Sequence, residues 1–455
     1  MTINSDLLNK VKRIHFVGIG CAGMCALAEI MHSKGYTLTG SDNNESDTLS
    51  RIRKLGIPVK LSHQPENIGD AQLVVHTAAV HDDNAELVEA RRREIPVIER
   101  AVMLGLLSDR YEKSIAVSGT HGKTTTTSML TQILLTAGLD PTAVIGGKLP
   151  LIGGNSRVGN SPLMACEACE FNDSFLHIHP AISVILNIDN DHLEYFKTID
   201  NLIAHFHTFA GQTSETVIYN RDDANTRKAL TGITARAISF GFGPDCDYRA
   251  EQIQTEPGSH CDFDLIKNDR KIATIRLKVP GKHNIMNALA AAAAADLAGA
   301  SAESIEKGLN DFTGAGRRFE VLGKVNGVTI ADDYAHHPAE LEATLTAAKQ
   351  MGFRRVWAVF QPFTYSRTAM LLEDFARVLQ IADRVVLAEI MGSREKNTFN
   401  IYSKDLAEKI PGCVWFPDFQ KIADYVIQNT AEGDLVITLG CGDIYKAAKL
   451  MLKQS

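Results

Sequence analysis

The chain has 455 residues, too many for one hydrophobic core, and this length predicts about three domains of ordinary size. Its composition, with 45% hydrophobic and 22% charged residues, is typical of a soluble globular protein. A formal net charge of −7 argues against general nucleic-acid binding, so an anionic ligand requires a locally built site. Because no stretch resembles a secretory signal or a membrane span, we expect a cytoplasmic protein with no membrane partner.

Eight cysteines are spaced irregularly along the chain, which favours reduced thiols over a disulfide framework. Cys166 and Cys169 form a CxxC pair, and His177 and His179 follow it. A zinc or redox site is the alternative interpretation, but no second CxxC completes such a site. The glutamates of the same segment are therefore the better candidates for function.

The first predicted domain, residues 1–108, opens with a strand, a glycine loop and a helix. A strand over residues 13–19 runs into the loop GIGCAGM, and a second strand over residues 36–40 ends near Asp42. The loop glycines allow a diphosphate to approach a helix N-terminus closely. A Rossmann-like nucleotide-binding unit is therefore predicted, but the pattern fits a dinucleotide or a UDP-sugar equally well.

The second predicted domain, residues 109–315, contains a second glycine loop. A buried strand over residues 114–117 precedes the sequence GTHGKTTTT, and an apolar helical pattern over residues 128–135 follows it. In this context the backbone N–H groups point at phosphate oxygens, while Lys123 supplies a positive charge and Thr124 a hydroxyl for Mg²⁺. The loop is a variant of GxxxxGK[ST], because Val117 stands where the first glycine is usual.

Acidic residues follow two further strands of this domain. A strand over residues 162–167 ends at Glu167, and a strand over residues 181–188 leads to Asp189, Asp191 and His192. Parallel α/β sheets bind ligands at the carboxyl ends of their strands, so these side chains are candidates to complete a magnesium site. Solvated loop acids are the alternative, which is more plausible for Asp189 than for Glu167.

The third predicted domain, residues 316–455, follows an alanine-rich helix over residues 286–297 that we expect to pack in the core. It again alternates strands with amphipathic helices, among them residues 370–379 and 419–429. Its strands are predicted at residues 328–332, 355–360, 384–388 and 435–439. Each strand ends in polar or glycine residues, which predicts a ligand-binding edge.

Eight motifs in order along nearly the whole chain resemble those of the Mur ligase family. They are GIGxxGM, GTHGKTTTT, EAxE, NIDxDH, GKHNxxNALA, GRRFE, DDYxHHP and QPxxYSRT. The resemblance implies an α/β protein of three domains: an N-terminal Rossmann-like UDP-binding domain, a central P-loop ATPase-like domain and a C-terminal Rossmann-like open sheet.

The resemblance also implies the chemistry. ATP would phosphorylate the carboxylate of UDP-N-acetylmuramate in the presence of Mg²⁺, and the amine of L-alanine would attack the acyl phosphate. The product would be a peptidoglycan precursor. The residues agree with this chemistry, because phosphoryl transfer requires alignment and charge neutralisation more than a covalent catalyst.

The resemblance assigns roles to individual residues. The expected ATP contacts are Gly119, Thr120, His121, Gly122, Lys123, Thr124, Thr125, His283, Asn287, Arg318 and Asp332. The expected UDP-sugar contacts are Gly18, Gly20, Gly23, Met24, Asp42, His63 and Thr77. The expected metal ligands are Thr124, Glu167 and His192. The expected catalytic residues are Lys123, His192, His337 and Arg367, with Tyr334 also facing the reacting groups.

The sequence departs from the family pattern at three places. Cys169 replaces an acid, and Phe363 and Thr364 replace a His-Arg pair near the expected amino-acid pocket. Ala335 replaces a glycine, as in the related ligase that recycles murein tripeptide. That relative lacks the Tyr-Ser-Arg-Thr segment present here, so L-alanine is the preferred substrate and murein tripeptide the alternative.

Two alternatives come from other functional classes. A nicotinamide-dependent dehydrogenase would explain the first glycine loop but would leave the phosphate loop and the third domain unused. A catalytically inactive UDP-sugar-binding regulator would not need Lys123, Thr124 and Glu167, which are all present.

Overall fold

The computed structural model describes residues 6–191, 193–256, 260–393 and 395–454. Its strands form three sheets, of five, ten and six strands. By internal packing the chain divides into two units. One comprises Met1–Gln252, Phe263–Ile275 and Ile285–Phe312, and the other Ile253–Asp262, Arg276–Asn284 and Thr313–Ser455. No helix in the described ranges is long and apolar enough to cross a membrane.

The first sheet is a parallel sheet whose strands are β1 (Arg13–Val17), β2 (Thr37–Ser41), β3 (Val59–Lys60), β4 (Leu73–His76) and β5 (Val97–Glu99). Its helices are α1 (Leu7–Lys10), α2 (Ala22–Ser33), α3 (Asp47–Lys54), α4 (Ala85–Arg92) and α5 (Arg100–Ser108), with a 3₁₀ turn at Pro65–Ile68. The strand order β3-β2-β1-β4-β5 places β1 where the direction of winding reverses. Open α/β sheets bind ligands at such a switch point, and the first glycine loop follows β1 directly.

The second sheet contains β6 (Lys113–Ser118), β7 (Thr142–Leu149), β8 (Gly154–Arg157), β9 (Leu163–Glu167), β10 (Ile182–Ile185), β11 (Thr216–Asn220), β12 (Arg236–Gly241), β13 (Tyr248–Glu256), β14 (His260–Lys267) and β15 (Arg270–Leu277). The strand order is β15-β14-β13-β12-β11-β10-β6-β9-β7-β8. Strand β6 pairs in parallel with β9 on one side and β10 on the other. The phosphate loop therefore emerges between the end of β9, where the predicted ligand Glu167 lies, and the end of β10.

The helices of this region are α6 (Lys123–Thr136), α7 (Leu193–Phe196), α8 (Ile199–Gly211), α9 (Ala224–Ala229), α10 (Lys282–Leu297) and α11 (Ala302–Asn310), with 3₁₀ segments at Pro150–Ile152 and Phe171–His177. In α10 every residue from Ala288 to Ala295 is fully buried. Small side chains permit this close packing, which agrees with the predicted core helix.

The third sheet contains β16 (Glu320–Val325), β17 (Val328–Asp333), β18 (Val356–Phe360), β19 (Arg384–Leu387), β20 (Val414–Trp415) and β21 (Leu435–Leu439). Its helices are α12 (Pro338–Gln350), α13 (Tyr365–Met370), α14 (Leu372–Leu379), α15 (Ser403–Ala407), α16 (Phe419–Asn429) and α17 (Tyr445–Leu452). The strand order is β16-β17-β21-β18-β19-β20, and β16 is the antiparallel edge strand. The remaining pairs are parallel, so their carboxyl ends lie at one edge.

The α/β fold class with three sheets is confirmed, but local boundaries differ from the predictions. Helix α6 begins at Lys123 rather than near Ser128, because the left-handed Gly122 (φ +89°) ends the loop directly before it and the following threonines already adopt helical backbone. The helix predicted over residues 370–379 is confirmed as α14 from Leu372 onwards, but Leu371 is non-helical and Met370 belongs to the preceding α13. The exact domain boundaries stay a prediction.

Candidate active site

The phosphate loop has a backbone that requires glycine at two positions. Gly119 and Gly122 have φ values of +137° and +89°, which side chains rarely adopt. A Cβ atom on Gly119 would lie 2.9 Å from Leu186 Cβ, and one on Gly122 would lie 2.4 Å from Asn287 Oδ1. The loop therefore packs closely against Leu186 and Asn287, with no room for side chains at these two glycines. It ends at the N-terminus of α6, where unpaired backbone N–H groups attract anions.

Asn187 holds the same loop from the end of β10. Its side-chain Oδ1 accepts a hydrogen bond from His121 N at 2.8 Å, and its Nδ2 donates to His121 O at 3.0 Å. Its backbone carbonyl accepts from Thr120 N at 3.0 Å. The Thr120 hydroxyl in turn accepts from Asp189 N at 2.9 Å. No role was predicted for Asn187, although it is the first residue of the NIDxDH motif.

Lys123 is held by a buried carboxylate. Its Nζ lies 2.9 Å from Glu170 Oε2, and it donates to the carbonyls of Gly119 at 2.6 Å and Thr120 at 3.0 Å. The side chain of Glu170 is only 2% exposed. Burial acts to lower the pKa of Lys123, but the charge of Glu170 outweighs it and holds this pKa above the ordinary value. Lys123 is therefore a permanent cation beneath the loop.

Glu167 lies at the end of β9, as predicted, and is fixed by the neighbouring strand. Its Oε1 accepts a hydrogen bond from Gly146 N at 2.6 Å, and a Cβ on Gly146 would lie 2.4 Å from its Oε2. Thr124 lies in the first turn of α6, with Thr125 beside it. A carboxylate and a hydroxyl suit Mg²⁺, which completes its shell with waters and substrate phosphates. The predicted ligand His192 lies outside the described residues.

The first glycine loop is supported by Asp42. Its Oδ2 accepts a hydrogen bond from Gly20 N at 2.9 Å, and a Cβ on Gly20 would lie 2.7 Å from that oxygen. Gly18 has φ +80°, and a Cβ there would lie 2.4 Å from Thr77 Cγ2. The structure thus brings four predicted UDP-sugar residues together. The predicted Met24 does not join them, because its side chain is 0% exposed and belongs to the hydrophobic core.

Arg100 is a candidate that sequence analysis missed. A Cβ added to Gly23 would lie 3.0 Å from its Cδ and 3.5 Å from its Nε and Nη1. Among the described residues the guanidinium makes no hydrogen bond or ion pair, although its charge acts to lower the pKa of Cys169. A half-buried arginine beside a glycine loop is a ready partner for a phosphate group. No local motif marks it, since it is the first residue of α5.

In the third sheet an arginine not predicted from the sequence binds the predicted Asp332. Arg317 Nε donates to Asp332 Oδ2 at 2.8 Å, and its Nη2 donates to the Gly440 carbonyl at 2.6 Å. Asp332 also accepts from Thr438 Oγ1 at 2.6 Å and is 1% exposed. This placement makes Asp332 an inward-facing link between β17 and β21. These bonds do not favour the direct contact between Asp332 and ATP that was predicted.

The other third-sheet candidates lie next to these residues. The guanidiniums of Arg317 and Arg318 lie 5.0 and 5.2 Å from the ring centroid of Tyr334, and burial raises the Tyr334 pKa to about 12. His337 is the N-cap of α12, where its Nδ1 accepts from Ala339 N at 3.4 Å. Arg367 is a buried residue of α13, and its charge acts to lower the pKa of Cys441.

Two further predictions concern α10 and the cysteines. His283 lies beside Gly281, where burial lowers its pKa, and Asn287 packs against Gly122 as described above.

All eight cysteines are free thiols, and burial raises the pKa of Cys166 to about 12 and that of Cys169 to about 11.

A UDP-N-acetylmuramate–L-alanine ligase of Caldanaerobacter subterraneus subsp. tengcongensis is 44% identical to this chain, covering 98% of the chain and 99% of the relative. The chain belongs to the Mur ligase family. Three family descriptions match it in succession: Mur ligase family, catalytic domain (residues 13–112), Mur ligase middle domain (117–295) and Mur ligase, glutamate ligase domain (317–442). This membership confirms the resemblance predicted from the motifs.

Other relatives within the Mur ligase family agree. The enzyme of the same name from Acetivibrio thermocellus is 45% identical and covers 98% of this chain and 96% of its own. The crystal structure of the UDP-N-acetylmuramate-alanine ligase of Thermotoga maritima has a TM-score of 0.82 at 30% identity, covering 97% of this chain and 98% of that one. A murein peptide ligase of Psychrobacter arcticus has a TM-score of 0.77 at 25% identity, with 97% and 98% covered.

Proposed function

We propose that this chain is an ATP-dependent ligase that joins L-alanine to the carboxylate of UDP-N-acetylmuramate, in the cytoplasm, as a step of peptidoglycan precursor synthesis. The observation that carries the proposal is the half-buried cation Lys123 beneath a glycine loop, with the carboxylate Glu167 fixed at the adjacent strand end. Identity of 44% over nearly the full length of an alanine ligase favours L-alanine over murein tripeptide, since the murein peptide ligase is 25% identical.

The reaction takes two steps. A carboxylate oxygen of the sugar attacks the γ-phosphorus of ATP, and ADP leaves. The amine of L-alanine then attacks the acyl carbon, the carbon–oxygen bond to phosphate breaks, and the amine loses a proton as the amide forms. Activation is required because a carboxylate oxygen is a poor leaving group towards an amine.

Each glycine loop has a separate task in this scheme. The loop from Gly119 to Gly122 holds the triphosphate, and Lys123 neutralises the charge that moves during phosphoryl transfer. Thr124 and Glu167 would hold Mg²⁺, which screens the phosphate charges when bound. The loop from Gly18 to Gly23 holds the UDP moiety, with Arg100 on its diphosphate.

The remaining roles are proposals that follow the family resemblance. His283 and Asn287 contact adenine, and Arg318 contacts the nucleotide phosphates. Tyr334, His337 and Arg367 face the amino acid and the reacting carboxylate. His192 would hold a second metal ion. The three parts of the chain, residues 1–108, 109–315 and 316–455, would bind the UDP-sugar, ATP and the amino acid respectively.

Phosphate release tests the proposal. We expect release from ATP and Mg²⁺ only when UDP-N-acetylmuramate and an amino acid are both present, and fastest with L-alanine among L-alanine, glycine, L-serine and murein tripeptide. A preference for the tripeptide would assign the recycling reaction instead. No release with any of the four would contradict ligase activity.

A further inference from the structure

Glu86 is a fully buried carboxylate in the first turn of α4, with a side-chain exposure of 0%. Its Oε2 accepts a hydrogen bond from Ser41 Oγ at 2.6 Å and lies 3.2 Å from His63 Nδ1. Its Oε1 accepts from Asn67 Nδ2 at 2.6 Å. A buried charge requires such partners, because it has lost its hydration.

These partners connect Glu86 to the first glycine loop. Ser41 is the last residue of β2, its carbonyl accepts from Gly18 N at 2.9 Å, and it precedes Asp42, which binds Gly20 N. The Ser41 hydroxyl also lies 3.2 Å from His63 Nδ1. One carboxylate therefore joins the predicted ligand His63 to the end of β2, next to the first glycine loop.

The charge of Glu86 determines which nitrogen of His63 carries a proton. Burial acts to raise the pKa of Glu86, but interactions with His15, Ser41 and Asn67 outweigh it and hold this pKa below the ordinary value. An ionised carboxylate only accepts hydrogen bonds, so His63 Nδ1 must carry the proton.

The other nitrogen of His63 is left for a ligand. Within the described part of the chain Nε2 makes no hydrogen bond, and the side chain is 15% exposed. The second imidazole near the carboxylate, His15, is fully buried, with its Nδ1 2.8 Å from Thr39 Oγ1 and its Nε2 3.6 Å from Glu86 Oε2. Of these two described imidazoles, His63 is the one that can reach both Glu86 and a bound molecule.

We propose that Glu86 is a positioning residue for the UDP-sugar: it fixes the ring and tautomer of His63 so that Nε2 accepts a hydrogen bond from a donor group of the uridine. This inference rests on the proposed function, which places the UDP moiety at the first glycine loop. Glu86 itself touches no ligand and acts through His63.

Calorimetric titration with UDP-N-acetylmuramate tests this in a double-mutant cycle. We expect Glu86→Gln, which keeps the shape but removes the charge, to weaken binding about tenfold. His63→Ala should weaken binding by at least as much, and adding Glu86→Gln to it should change nothing further. Glu89→Gln, on the same helix but paired with Arg92, is the matched control and should bind normally. ATP binding should be unchanged in every variant.

The possible outcomes separate the two proposals. The positioning role would be overturned if Glu86→Gln bound UDP-N-acetylmuramate with wild-type affinity. It would also be overturned if Glu86→Gln weakened binding equally in the wild-type and the His63→Ala backgrounds. Either result would leave the ligase proposal intact. Absence of UDP-N-acetylmuramate binding by the wild-type protein would instead refute the ligase proposal.

Nitrogen NMR of the wild-type histidines gives an answer even if Glu86→Gln does not fold. We expect a protonated Nδ1 in His63, identified by the signal that His63→Ala removes. An unprotonated Nδ1 with protonated Nε2 would overturn the inference.

Discussion

The two glycine loops, residues 18–23 after β1 and residues 119–122 after β6, each connect a strand to a helix, but the cations beside them differ. Arg100 beside the first loop is half-buried and has no acidic partner among the described residues. Lys123 beneath the second loop is paired with the buried Glu170. In the proposed function the first loop would receive a diphosphate without breaking an ion pair, whereas the triphosphate of ATP would replace Glu170 as the partner of Lys123. The same strand-loop-helix arrangement thus suits two different ligands, because Arg100 lies beside one loop and the Lys123–Glu170 pair beside the other.

The largest expected effect is that of Lys123→Ala. Removing the cation beneath the triphosphate should reduce turnover by about a thousandfold or more, because positioned charges dominate phosphoryl transfer. UDP-N-acetylmuramate binding, measured by calorimetry, should stay the same, since a different loop binds it. Lys228→Ala, an exposed lysine of α9, is the control and should be fully active. If a folded Lys123→Ala protein lost both turnover and UDP-N-acetylmuramate binding, the two loops would not bind their ligands separately.

Glu167→Gln comes next. We expect turnover to fall about a hundredfold and the Mg²⁺ concentration for half-maximal activity to rise, because an amide is a weaker ligand than a carboxylate. A magnesium titration of the steady-state rate measures both. An unchanged magnesium requirement would show that Glu167 does not hold the ion.

Arg100→Ala tests the cation of the first loop. Affinity for UDP should fall about tenfold, because a charge-assisted bond to the diphosphate is lost, while ATP affinity stays constant. Calorimetry with each nucleotide measures the difference. Arg92→Ala, an exposed arginine of the same sheet region, is the control. If Arg100→Ala binds UDP normally, the first loop acts through its backbone alone.

Glu170→Gln tests the ion pair of the second loop. ATP should bind a few-fold more tightly, because it no longer has to displace a carboxylate from Lys123. The thermal midpoint without nucleotide should fall, since the half-buried Lys123 loses its charged partner. Weaker ATP binding in this variant would mean that Glu170 assists the nucleotide rather than competing with it.

The smallest expected effect concerns pH and Glu86. The folded-state pKa of Glu86 lies below its ordinary value of 4.5, so the ionised network stabilises the fold above pH 4.5 and loses this contribution as the pH falls through the folded-state pKa. At pH 7 Glu86→Gln should lower the free energy of unfolding by about 1–2 kcal/mol, and the difference from wild type should shrink below pH 4.5. A difference that is constant with pH would contradict this.

The sequence predicts the parallel strands and both loops because buried strands are continuous apolar runs and the loops carry glycines that a tight turn requires. Hydrogen bonds between residues far apart in the chain cannot be predicted from the sequence in the same way. Asn187 binds His121 across 66 positions, and Ser41 binds Glu86 across 45. A polar residue far from a motif gives no local sign that it is buried and bonded to that motif.

Motif membership also fails to predict which way a side chain faces. Met24 lies in the first motif and Asp332 in a later one, yet α2 directs Met24 into the core and Arg317 holds Asp332 inward. The split between α13 and α14 was missed for a similar reason, because amphipathic spacing continues across Leu371 although the backbone does not.

Transfer of an oxygen isotope tests the central claim most directly. With both carboxylate oxygens of UDP-N-acetylmuramate labelled with ¹⁸O, turnover in the presence of ATP and L-alanine should place one ¹⁸O in each phosphate released. Phosphate without label, formed at the same rate as the amide product, would contradict activation of the carboxylate by ATP bound at Lys123.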